Sequence, residues 1–294
     1  MHSYLRAIGF SKYPETEHDV DVLLEDLFHT YQERKAVREN GGRTAFLELT
    51  KSFGPDIGIK LCGQLDGNGF HRLWYYPYLN GSGVTSEGEL TVQRKVNGQG
   101  YKAMCEEGRV GVSLIFDLQN PGDYKRETLM EQLVGRKVST TLSALAKGGM
   151  ILLPKKEDNR DAKVRMDVNR RHNDLVLEAR SGSEEAIESL TLEDMDTYAM
   201  ISRRIHEEDI LTIVDSYVMP RGMECDEYQV LGTILFYTKV TNSLTDEVLY
   251  QMTLECNGMT FDVCINERDL FGDPEVGRRF KGDVWLQGRI NFED

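Results

Sequence analysis

The sequence predicts an α+β protein: an N-terminal antiparallel sheet with a long helix, a helical bridge, and a C-terminal five-stranded, β-barrel-like domain. Three observations predict it. A single apolar stripe at helical spacing lies within residues 16–39. Period-two apolar alternation, broken by Asn-Gly and Asp-Gly turns, fills 43–119 and 209–292. A capped helical pattern occupies 164–206 between them. The boundaries drawn from these patterns are 1–154 for the α+β domain, 155–208 for a charged connection and helical bridge, and 209–294 for a small antiparallel β-domain.

The helix over 16–39 rests on Val20, Leu23, Leu24, Leu27, Phe28 and Tyr31, which fall on one face. Thr16 with Asp19 forms a capping-box pattern at its start, and Arg34, Lys35 and Arg38 suit its C-terminal end. Six strands follow, at Ala45–Ser52, Ile57–Leu65, Phe70–Tyr78, Glu89–Val96, Gln99–Cys105 and Arg109–Leu118. Their short turns imply antiparallel pairing rather than a doubly wound sheet. A helical stretch near Glu127–Val134 and a hairpin through Lys147-Gly148-Gly149 complete the region. The bridge reads as helices over 164–180, 184–190 and 192–206.

The β-domain reads as Ile210–Val218, Tyr228–Val240, Glu247–Cys256, Met259–Ile265 and Asp283–Phe292. Asn257-Gly258 is a type I′ turn signal, and it pairs Cys256 with Met259, Leu254 with Phe261, Met252 with Val263 and Tyr250 with Ile265. That register places Cys256 on the buried face and Cys264 on the outer one. The five cysteines include no C-x-x-C pair, so neither a disulfide framework nor a thiolate zinc site is expected.

Charge narrows the function classes. The formal net charge is −14, and residues 1–150 carry 18 basic against 19 acidic groups while 151–294 carry 17 against 30. An acidic chain repels polyanions, so nucleic acid is disfavoured as a partner. No apolar run reaches the length of a membrane span and no secretory leader is visible, so a cytoplasmic protein without a membrane role is expected.

Three stretches carry a resemblance: MHSYLRAIGFS at the start, ARSGSEEAIESLTLEDMDTYAMISRRI in the centre, and GDPEVGRRFKGDVWLQGRINF near the end. Together they resemble a family of bacterial proteins of unknown function from clostridia-like anaerobic Gram-positive bacteria. The resemblance spans the chain and implies a bacterial, cytoplasmic protein. It implies no activity, cofactor or functional residue.

Among chemistry-bearing motifs, the run Arg72-Leu73-Trp74-Tyr75-Tyr76-Pro77-Tyr78 stands out. On a regular strand Arg72, Trp74, Tyr76 and Tyr78 share one face and form a candidate ligand-binding set, while core packing against the helix is the plainer alternative. Pro77 marks an edge strand or a strand end. His18, Glu25 and His29 share a helical face without a further ligand, and Asp194 and Asp196 diverge on a helix, so no metal site is expected. His206-Glu207-Glu208-Asp209 offers acid–base types whose carboxylates are better placed to pair with Arg203 and Arg204. No nucleophile elbow or phosphate loop appears, so no catalytic residue and no cofactor are assigned. The leading expectation is a non-enzymatic interaction or regulatory module with a protein partner. The alternative is a small-molecule or carbohydrate-binding protein, enzymatic or not, that uses the aromatic face near Trp74.

Overall fold

A computed structural model describes residues 2–38, 42–110, 112–129, 138–154, 182–192, 214–223 and 225–292, with a few single positions between 171 and 211. The expected helices at 164–180 and 192–206, and the His206–Asp209 cluster, lie largely or wholly outside the described residues. The fold is mainly β, with helices at α1 (Glu17–Thr30), α2 (Pro121–Leu129) and α3 (184–192). No described helix is long and apolar enough to cross a membrane.

A 3₁₀ turn, Leu5–Ile8, precedes α1. The capping box at Thr16 and Asp19 forms as expected, with each side chain accepting from the other residue's backbone N–H. The helix ends at Thr30, earlier than the sequence suggests, and Glu33–Arg38 becomes strand β1. The apolar stripe ends at Tyr31. Beyond it the chain satisfies its backbone on the free edge of β2 (Ala45–Gly54), with Arg38 opposite Ala45 and Glu33 opposite Thr50. Strands β3 (Ile57–Asp66) and β4 (Gly69–Leu79) complete a four-stranded antiparallel sheet in the order β1-β2-β3-β4. As Pro77 suggested, β4 is an edge.

The larger sheet is mixed. It takes β5 (Leu90–Arg94), β6 (Tyr101–Glu107), β7 (Val112–Leu118) and β8 (Val138–Leu152) from before the charged stretch. From after it come β9 (Tyr217–Pro220), β10 (Glu227–Thr241), β11 (Val248–Cys256), β12 (Met259–Asn266), β13 (Leu270–Phe271) and β14 (Arg279–Phe292). Strands β8, β12, β11, β10 and β14 close a five-stranded ring. It is not a true barrel: β8 and β12 pair in parallel, and a short parallel contact from β14 to β7 carries the sheet on to β6 and β5.

Two expectations are corrected here. The strand expected at 210–218 contributes only β9, which flanks β10, and the fifth place in the ring belongs to β8. Nor does Lys147-Gly148-Gly149 turn the chain. Asp283 sits opposite Gly148 and Val284 opposite Ala146, so Lys147 is the extra residue of a β-bulge within one long strand. Gly149 is needed because a Cβ there would lie 2.4 Å from the Phe280 ring.

The β11–β12 hairpin has the expected register throughout, with Asn257 at φ 51° and Gly258 at φ 77° as a type I′ turn requires. Cys256 lies in the ring's interior cluster with Leu254, Phe261 and Val263. Cys264 points the other way, as expected, yet that side is buried too: the 3₁₀ turn covers it and Ala7 O accepts its thiol at 3.3 Å.

The two sheets are joined by buried amides. Gln119 Nε2 donates to Gln287 Oε1 at 2.9 Å and to Leu79 O at 2.8 Å, and Gln287 Nε2 donates to Pro77 O at 2.8 Å. Ser143 Oγ also donates to Leu79 O, at 2.6 Å. Replacing Gln287 with Leu strands several of these groups without solvent. We expect Gln287→Leu to lower the free energy of unfolding by about 2–4 kcal/mol, measured by urea denaturation; a loss under about 0.5 kcal/mol would remove the network from any structural role.

Candidate cleft between the two sheets

The aromatic run on β4 is not a regular strand. Cys62 faces Trp74 but Gly63 faces Arg72, so Leu73 is a bulge and the side-chain alternation resets across it. Arg72 therefore turns to the α1 side, where its guanidinium pairs with Asp21 at 2.8 Å. Phe70 lies on that side as well, stacked on Phe28 of α1. Trp74, Tyr76 and Tyr78 take the opposite face, toward the larger sheet. Tyr76 donates its hydroxyl to Gln119 O at 2.9 Å, and Tyr78 lies under Lys60.

Trp74 and Tyr76 line a cleft of about 420 Å³ where the sheets meet. Its other walls come from distant parts of the chain: His2 and Tyr4 before the 3₁₀ turn, Lys95, Asn97 and Gln99 from the β5–β6 turn, Asp117 at the end of β7, Asp226 and Glu227 at the start of β10, and Trp285 on β14. A larger cavity of about 540 Å³ along β5 and β6 is lined by Thr91, Gln93, Met104 and Ile115 among others, with neither carboxylate nor histidine. The cleft has both, and it holds both tryptophans of the chain.

Each acidic group in the cleft has a cation. Lys95 Nζ donates to Asp117 Oδ2 at 2.7 Å, Lys102 Nζ lies 3.5 Å from Asp226 Oδ1, and Lys147 Nζ lies 3.7 Å from Glu227 Oε1. The bulge that displaces Lys147 also carries its ammonium to 3.8 Å above the Tyr4 ring. Tyr4 donates to Glu227 Oε1 at 2.9 Å, and Trp285 Nε1 donates to Asp226 Oδ2 at 3.0 Å. Burial pushes the Asp117 carboxyl up to about 6, with nearby Asp226 adding to the rise and Lys95 opposing it. Burial, reinforced by Lys95 and Lys147, pulls His2 down to about 4 and keeps it neutral.

Trp74 differs from Trp285. Only 9% of it is exposed, it stacks on Phe46 at 5.7 Å, and its indole N–H donates to no acceptor among the described residues. The N–H itself is not sealed from solvent: it opens into the cleft and is available to an acceptor there.

Of the four sequence candidates, then, Trp74 and Tyr76 reach the cleft, Tyr78 is buried beside it, and Arg72 lies on the far face of the sheet. Sequence reasoning missed His2, Lys95, Asp117 and Asp226. Asp117 did leave a signal, as the one charged residue in the apolar strand Ser113–Leu118. Elsewhere, His29 Nε2 meets Glu25 Oε1 at 3.1 Å on the exposed face of α1, and no group of three or more metal-ligating side chains comes together among the described residues.

Residues 5–288 match the model of a domain of unknown function, DUF3881, named from E. rectale, a clostridial anaerobe, and the chain belongs to that family. No curated protein and no solved structure matches it.

The Asp117 shift carries a sign. The carboxyl ionises near 3.8 in an unfolded chain and near 6 in the fold, so the native state holds the proton more tightly between those values. Its contribution to stability is fully present at low pH and is lost as pH rises from about 4 to about 6. Carboxyl ¹³C NMR should find one aspartate titrating near pH 6, absent from Asp117→Asn; titration of Asp117 below pH 4 would contradict the reading.

Proposed function

We propose that this protein binds a small polar molecule in the cleft between its sheets. The unpartnered indole N–H of Trp74, on a wall shared with the buried Lys95–Asp117 pair, carries the reading. A cavity of this size lies within the ~300–1,000 Å³ typical of small-molecule sites, and such sites combine aromatic walls with a few convergent polar groups. A ligand acceptor at Trp74 would take the place of the solvent that this accessible N–H meets in the free protein.

The interaction-module reading rests on the absence of a catalytic motif and on the acidic helical bridge within 155–208, most of which lies outside the described residues, and so it has less support than the cleft. Protein partners remain compatible with a ligand-binding role. A carboxyl that titrates near neutrality is also a suitable acid or base, so the proposal covers both a binding protein and an enzyme.

Because Trp74 and Trp285 are the only tryptophans and both line the cleft, intrinsic tryptophan fluorescence reports on this site alone. Screening a library of small polar metabolites should yield saturable emission changes. Trp74→Phe, which keeps the ring stack but removes the N–H, should weaken binding about tenfold, in line with a lost hydrogen bond of ~1.4 kcal/mol. A library with no saturable response, or one whose hits bind Trp74→Phe equally well, would defeat the proposal.

A further inference from the structure

We infer that the ligand of the cleft is a neutral sugar ring, read through a vicinal diol by the Lys95 ammonium and the Asp117 carboxylate. The inference rests on the cleft being a ligand site and adds the chemical class that fits it.

Charge is the first argument. The three carboxylates on the walls, Asp117, Asp226 and Glu227, are matched one to one by Lys95, Lys102 and Lys147. Each carboxylate is thus already engaged by a cation, Lys95 from the lining itself and Lys102 and Lys147 from outside it. An anionic ligand would have to draw a lysine from its carboxylate, and a cationic one a carboxylate from its lysine. For Lys95 and Asp117, the least exposed of the three pairs, either leaves a half-pair with little solvent around it, which is unfavourable. A neutral ligand pays no such penalty.

Hydrogen-bonding capacity is the second argument. Asp117 only accepts and Lys95 only donates, and their polar atoms lie 2.7 Å apart. Two adjacent ring hydroxyls have a comparable spacing. One can donate to the carboxylate while its neighbour accepts from the ammonium, without separating the pair. The same walls hold Ser3, Asn97 and Gln99, which both donate and accept, and the Trp74 N–H, which awaits an acceptor. A hydroxyl both donates and accepts, so a polyhydroxylated ring can meet this mixed wall at several points at once.

The walls supply the apolar component as well. Tyr4 stacks on Trp285 at 5.2 Å, the His2 ring lies 4.7 Å from the same indole, and Tyr75 meets His2 edge-on at 6.3 Å. Tyr4 and Trp285 cover each other and are almost fully buried, so the apolar surface open to the C–H face of a sugar is that of the half-buried His2 and Tyr75 rings. The neutral state of His2 keeps that wall uncharged.

The test is a fluorescence titration of the full chain, confirmed by calorimetry. The probes are glucose, galactose, mannose and N-acetylglucosamine, each also as the methyl glycoside, against glucosamine, glucuronate and glucose 6-phosphate. At least one neutral sugar should bind, and its charged counterpart at least tenfold more weakly. The deoxy analogue lacking one hydroxyl of the diol should also lose at least tenfold. Equal binding of the methyl glycoside would assign the site to the end of a glycan, and loss of it to a free sugar; both support the inference. Lys95→Met and Asp117→Asn should each abolish binding, with circular dichroism showing that the variants remain folded. If either fails to fold, the deoxy and charged analogues on the unaltered chain decide the matter. Tighter binding of a charged analogue, or no binding by any neutral sugar, overturns the diol reading. Should other polar molecules still bind at Trp74, only that inference falls; should nothing bind, the cleft falls with it.

Discussion

The attachment of the N-terminal segment to the ring is the constraint on which the rest of the structure depends. Residues 5–11 run between the two sheets, and their backbone groups are satisfied by buried side chains of the ring. Asn242 Nδ2 donates to Ile8 O at 2.7 Å, Asn266 Nδ2 to Arg6 O at 3.2 Å, and Thr245 Oγ1 to Gly9 O at 2.5 Å. Glu247 accepts from Ser11 Oγ and from Asn266 Nδ2, both at 2.6 Å, and Arg6 pairs with Asp269. Asn242 and Asn266 are fully buried, and each directs an amide N–H at the backbone of the segment, so their burial and their hydrogen bonding both depend on it. The approach is close: a Cβ on Gly9, at φ +93°, would lie 2.7 Å from that of Asn242. The apolar side chains of the segment, Leu5, Ala7, Ile8 and Phe10, then fill the space between ring and small sheet.

The cleft follows from that attachment. With the segment fixed at Arg6–Ser11, His2 and Tyr4 are delivered onto the Trp285 face, and Tyr75 accepts from the His2 backbone N–H at 3.0 Å. On the other side, the Gln119–Gln287 amides hold the end of β4 against β7 and β14, which fixes how far Trp74 stands from Asp117. Both junctions are polar and buried. Such networks hold one arrangement well because any other leaves several groups unsatisfied. The cleft walls come from six separated stretches, yet they are set by two rigid seams.

The site was only partly legible in the sequence. The aromatic run marked the correct strand, and Trp74 and Tyr76 are on the wall. Arg72 was grouped with them because period two was carried straight through Leu73, where a bulge changes the face. Bulges are set by fit to the neighbouring strand, here the passage from Cys62 to Gly63, where a Cβ would lie 2.4 Å from the Phe70 ring. The glycines at 148 and 149 misled in the same way: they permit a turn, and packing against Phe280 used them for a bulge. Lys95, Asp117 and Asp226 have no shared spacing, and their meeting depends on strands far apart in the chain.

The sequence by itself determined the local elements: the capped helix at Thr16, the hairpin at Asn257-Gly258 with its register, and the alternation of the late strands. Each of these depends on residues within a few positions of one another, where side-chain period and turn conformation leave few choices. Tertiary structure alone decided that Glu33–Arg38 would leave the helix for the edge of β2, and that β8 would complete the ring. It also decided that the outer face at Cys264 would be buried and that three lysines would meet three carboxylates around Trp74. Those outcomes depend on which distant surfaces exclude water from one another. A free strand edge, an uncovered apolar face or a buried amide is satisfied by whatever the whole chain brings to it, and no local pattern names that partner.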